Sequence, residues 1–151
     1  MRMELKKIKI SNSRFFYFPH NGKENQWTLT FGKVLNKMEK DTPFISADSF
    51  CEIMVLAPTT FLVGKSVVGP IRGDISDLFL ADFKIGEIEM MEITDCDITF
   101  SEIFEKAQKI ISERSDLKGI FSIRIHQKDP FLHPMELRFF PNVYPFPKLT
   151  I

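Results

Sequence analysis

The sequence holds only two cysteines and one tryptophan, and it has no excess charge of either sign. Cys51 and Cys96 are too few for a disulfide framework or a four-thiolate zinc site, and they lack Cys-x-x-Cys spacing. The 20 basic and 20 acidic residues balance, which excludes a domain-wide basic footprint; no nucleic acid is expected as a partner. Apolar runs fall far short of the ~20 residues a membrane span needs, so no membrane is expected either. The opening Met-Arg-Met-Glu-Leu-Lys-Lys has no apolar region behind it and does not read as a secretory leader. A reduced, cytoplasmic protein is the expectation. There is no Gly-rich phosphate loop and no Gly-x-Ser-x-Gly nucleophile elbow. His20, His126 and His133 would suffice for a catalytic zinc, but no His-x-His or His-x-x-x-His spacing joins them.

What is abundant is phenylalanine: 16 of 151 residues, against two tyrosines. With 44% hydrophobic residues, the chain can bury a core, and the rings imply either a large core or a surface for self-association. The N-terminal stretch reads as extended, with Leu5, Ile8 and Ile10 among lysines and an aromatic run at Arg14–Phe18. Pro19-His-Asn-Gly22 is turn chemistry. A short helix capped by Thr30 follows, with Phe31, Val34, Leu35 and Met38 at helical spacing and a stop at Asp41-Thr-Pro43. Phe50–Leu56, Thr59–Val68, Phe79–Lys84 and Glu87–Ile93 read as strands, and Arg72-Gly-Asp74 as a loop.

The clearest element is a helix from Thr99 to Glu113. Thr99 and Glu102 form a capping box, and Phe100, Ile103, Phe104, Ala107, Ile110 and Ile111 make one apolar stripe. Alternation returns at Phe121, Ile123 and Ile125 and again at Met135, Leu137 and Phe139. The proline-rich tail Pro141–Pro147 excludes helix and central strand. The sum is one α+β domain over 1–151: a mixed or antiparallel sheet of about seven strands with two helices.

Glu52 is the only ionisable group in a strand that is apolar on both faces. An unpaired buried carboxylate is costly, so Glu52 is half of a structural ion pair, sits at a strand end near water, or is kept in a cavity for proton transfer or metal contact. Arg138 shares a strand face with Glu136 and could hold a substrate carboxylate through two parallel hydrogen bonds; the alternative is a cross-strand ion pair. Arg124 faces out from the preceding strand and is a candidate neighbour.

The order of segments resembles the N-terminal half of bacterial α-acetolactate decarboxylase over residues 28–151. The segments that carry the resemblance are Thr28-Leu-Thr-Phe-Gly-Lys-Val-Leu35, Ser49-Phe-Cys-Glu-Ile-Met-Val-Leu56, the Thr99–Glu113 helix, Leu117–His126, Arg138-Phe-Phe-Pro141 and Tyr144-Pro-Phe-Pro-Lys-Leu149. The resemblance implies that Glu52 and Arg138 are catalytic; Arg124 and Glu136, as their strand neighbours, are the candidate substrate-binding residues. The family's zinc ligands lie in a C-terminal half without counterpart here, so no cofactor is expected unless another chain supplies zinc ligands. Two functions stand on these readings. One is a half-length acetolactate decarboxylase-like protein that binds a small carboxylate, a carbon–carbon lyase if active. The other is a non-catalytic, self-associating module, a homo-oligomer built on Phe-rich surfaces.

Overall fold

The computed structural model describes residues 4–21, 23, 26–41, 44–57, 60–69, 79–95, 97–126 and 135–149. In chain order its elements are β1 (Lys6–Ile10), β2 (Ser13–His20), α1 (Trp27–Asp41), β3 (Ile45–Ser46), β4 (Phe50–Ala57), β5 (Thr60–Val68) and β6 (Leu80–Phe83). They are followed by β7 (Gly86–Ile93), α2 (Phe100–Glu113), β8 (Leu117–His126) and β9 (Met135–Pro141). Every pairing is antiparallel. The strands run β1-β7-β9-β8-β4-β5-β2-β6, with β3 added beside β5.

This order forces the sheet to curl. In a flat sheet β7 and β2 would lie five strand spacings apart, roughly 24 Å. Yet β1, paired with β7, runs into β2 through Ser11 and Asn12 alone, a link that reaches at most about 11 Å. Lys84 and Ile85 make the matching short link from β6 to β7. The register passes through both links unbroken: Lys6↔Met90 steps down to Ile10↔Gly86, then Ser13↔Phe83 continues to Phe16↔Leu80. β1–β2 and β6–β7 are thus the two legs of one bent ribbon that joins both ends of the sheet. At the bend Asn12 Oδ1 accepts the Ile85 N–H at 2.7 Å, replacing a ladder bond with a side-chain one.

The curl creates two faces. The helices cover the outer one. α1 lays Trp27, Phe31, Val34 and Met38 against β2 and β5, and α2 lays Ile103 and Ala107 against β8. Phe16, Ile53, Val63, Ile123 and Leu137 meet them from the sheet. Inside the curl, Phe15, Tyr17, Met54, Leu62, Phe83, Ile88, Phe140 and Tyr144 form a second cluster. Phe83 of the edge strand β6 lies 6.1 Å from Phe140 of β9, ring centre to ring centre, so strands far apart in the sheet order meet across the interior.

The α2 capping box is present: Glu102 N–H donates to Thr99 Oγ1 and Thr99 O–H donates to Glu102 Oε1, both at 3.2 Å. Helix α1 starts four residues earlier than its sequence implied, so Thr30 is no cap; its hydroxyl meets His20 Nδ1 at 2.7 Å instead. Among the described residues the strands number nine, against about seven expected, because the N-terminal extended run divides at Ser11–Asn12 and β3 is too short to show a pattern. Among the described residues no phenylalanine is exposed. Most of the described rings pack into the two core clusters. Arg72-Gly-Asp74 lies outside the described residues. Among the described residues no helix is long and apolar enough to cross a membrane.

Gly64 is where the inner core depends on a missing side chain. A Cβ there would stand 2.2 Å from the Phe16 carbonyl oxygen and 2.8 Å from Phe15 Cε1. The ring of Phe15, stacked 5.2 Å from Tyr17, occupies that space. Gly64→Ala is expected to destabilise the fold by about 2–3 kcal/mol through overpacking. The check is urea unfolding, read as a lowered midpoint at unchanged slope.

Candidate functional site

The strand registers bring charged residues into line inside the curl. Side chains alternate faces along a strand, so residues paired across strands share a face. One such row runs Gly64, Glu52, Arg124, Glu136, Glu92 across β5, β4, β8, β9 and β7. The next runs Leu62, Met54, Ser122, Arg138, Met90. Glu52, Arg124, Glu136 and Arg138 are therefore immediate neighbours on the inner face.

Arg124 is the hub. Its Nη1 donates to Glu136 Oε2 at 2.9 Å and its Nη2 donates to Asp48 Oδ2. Its Nε lies 3.2 Å from Glu52 Oε1 as an ion pair but is not aligned for a hydrogen bond. The guanidinium carbon sits 4.3 Å from the centre of the Phe50 ring, a cation–π contact. Burial opposes the charge on Arg124, but the carboxylates of Glu52, Asp48 and Glu136 outweigh it and raise its pKa. Glu52 also accepts from Ser122 Oγ at 3.4 Å.

Behind the row, Lys65 is wholly buried on the outer face. Its ammonium donates to the carbonyl oxygens of Asp48, at 2.7 Å, and Phe50, at 3.0 Å. Burial pushes its pKa down, with the Asp48 charge opposing the shift. Asp48 Oδ1 accepts the Phe50 N–H at 3.0 Å. Lys65 thus fixes the turn that presents Asp48 to Arg124. Three carboxylates and three cations are joined by ion pairs here, so the formal charges of the paired groups balance.

Arg138 is bound most loosely. Among the described residues its one ion pair is Nη2 to Glu136 Oε2 at 3.3 Å; its side chain is 18% exposed, and its buried Nε has no hydrogen-bond partner. Burial lowers its pKa; Glu52 opposes that shift and the like charge of Arg124 adds to it. Among the described residues the buried side-chain nitrogens without a hydrogen bond are Arg124 Nε, Arg138 Nε and His126 Nδ1. All belong to inner-face residues of β8 and β9.

The histidines do not assemble. His20 is spent on Thr30 and on the Lys23 carbonyl, 2.7 Å from each, on the helix side of the sheet. His126 lies inside, with Nε2 3.4 Å from Ser49 Oγ. His133 and Cys96 fall outside the described residues. Cys51 is a buried free thiol whose pKa is raised by burial and then by the charge of Glu52. Among the described residues no group of three or more His, Cys, Asp or Glu could hold a metal ion.

Sequence reading did not single out Asp48, Lys65 or Ser122. Lys65 was findable: strand alternation sets it on one face with Phe61, Val63 and Val67. Asp48, in a polar loop, carries no such signal.

No family model matches this chain, and no curated protein matches it. In fold it is similar to a solved structure of SAV2435 bound to tetraphenylphosphonium. The TM-score is 0.50 at 10% identity, over 95% of each chain. At that identity the likeness concerns the fold.

Arg124→Met removes the shared partner of three carboxylates. Breaking a buried charge pair of this kind costs about 3–5 kcal/mol. The variant is expected to be less stable than the parent protein by that amount, read in urea unfolding as a lowered midpoint at unchanged slope.

Proposed function

We propose that this chain binds a small carboxylate on the inner face of its curled sheet, with Arg138 as the clamp. The state of Arg138 carries the reading. A guanidinium offers five donors in a rigid fork matched to a carboxylate. Here that fork is four-fifths buried, holds one 3.3 Å contact to Glu136 and leaves Nε without a hydrogen bond. A buried donor in that condition calls for a partner, either water or a ligand acceptor.

The acetolactate decarboxylase resemblance supplies the first ligands to try, with Glu52 placed as the base beside the bound carboxylate. The donor set of the described residues does not fit the zinc of that chemistry. No step is drawn through a metal, and binding rather than turnover is the proposed activity.

A second reading takes its support from SAV2435, which shares the fold and was solved with tetraphenylphosphonium. A lipophilic cation would find aromatic rings inside this curl at Phe15, Tyr17, Phe140 and Tyr144, and a carboxylate at Glu52. It would have to compete with Arg124 and Ser122 for that carboxylate, which is why the carboxylate reading is preferred.

Isothermal titration separates the two. Pyruvate, lactate and acetolactate are expected to bind the parent protein. Arg138→Met should weaken them about 10- to 100-fold, the worth of charge-assisted hydrogen bonds. Arg138→Lys should recover part of the loss. Binding of tetraphenylphosphonium that is lost in Glu52→Gln, with no response to the carboxylates, would establish the second reading instead.

A further inference from the structure

We infer that Glu136 is a built-in stand-in for the ligand's carboxylate, holding the two-arginine fork until a ligand replaces it. This rests on the carboxylate-binding reading and assigns to Glu136 the part of an internal competitor. Glu136 Oε2 is shared by two guanidiniums, at 2.9 Å from Arg124 Nη1 and 3.3 Å from Arg138 Nη2. That is the position a bound carboxylate oxygen would take.

The three carboxylates of the cluster are not held alike. Asp48 accepts the Phe50 N–H, and Glu52 accepts the Ser122 hydroxyl. Glu136 is held by the two arginines. An incoming carboxylate could replace it and restore each of those contacts, whereas displacing Asp48 or Glu52 would also strand a backbone or hydroxyl donor.

Charge balance points the same way. The paired groups balance as they stand, so an anion that entered without displacing one would leave a net negative charge in a partly buried site. Glu136 has a side chain 18% exposed, against 10% for Glu52, so it can turn toward water as the ligand enters. Asp48 is more exposed still, but its backbone is pinned by Lys65 and its Oδ1 by Phe50.

The test is isothermal titration of pyruvate, lactate and acetolactate into the parent protein, Glu136→Gln and Glu136→Asp. Glu136→Gln should bind about tenfold tighter, since one charge-assisted contact no longer has to be displaced. Glu136→Asp keeps the charge but is too short to reach both guanidiniums, so it should also gain affinity; it serves if the glutamine variant does not fold. Binding by a variant alone would equally support the stand-in role. If the parent binds and both variants bind no better, the stand-in role is overturned while the carboxylate reading survives. If none of the three proteins binds any of the three acids, both fall together.

Discussion

The bent ribbon formed by β1–β2 and β6–β7 is the constraint from which the rest of the molecule follows. Two links of two residues each tie together the two ends of the sheet, and the chain is too short there to allow anything but a curl. Curling gives the sheet an inside. An antiparallel sheet with one face on helices and the other in water would leave Glu52, Arg124 and Arg138 as ordinary surface charges. Here the second face is closed over by Phe83, Phe140, Tyr144 and Phe146, and the same charges become a buried cluster.

Stability alone does not account for that cluster. Apolar residues of similar volume in place of a buried ion network are often neutral or stabilising, because removing charges from water costs more than their attraction returns. The network is nevertheless heavily supported. Lys65 reaches through from the outer core to fix the Asp48 turn, Phe50 faces the Arg124 guanidinium, and Gly64 lets the Phe15 ring close over the strand beside Glu52. Against this rigidity, the loose seating of Arg138 stands out as a difference in kind.

Much of the fold was legible in the sequence. The α2 helix could be read to its cap, because Thr99, Glu102 and a 3.6-residue stripe all say the same thing locally. The strands from Phe50 to Val68 could be read from β-branched runs and their breaks. The closing of the sheet could not, since a two-residue link looks the same in a flat hairpin and in a bent ribbon; only the partner across the sheet distinguishes them. The start of α1 was misplaced because Thr30 is a good cap by type, and its engagement with His20 is a tertiary contact. The phenylalanines allowed two outcomes, core or exposed patch, and composition does not say which side of a strand meets a helix.

For the charged site the division is similar. Alternation along a strand is a local property of the backbone, and it suffices to make Glu52 out of place in an apolar strand and to put Glu136 and Arg138 on one face. The role of Arg124 as hub, the completion of the charge balance by Asp48 and Lys65, and the buried Arg138 nitrogen without a hydrogen bond came from the folded chain. Register between strands is set by long-range pairing. Arg124 meets Glu52 across 72 residues of chain, and no local pattern encodes which residue stands opposite.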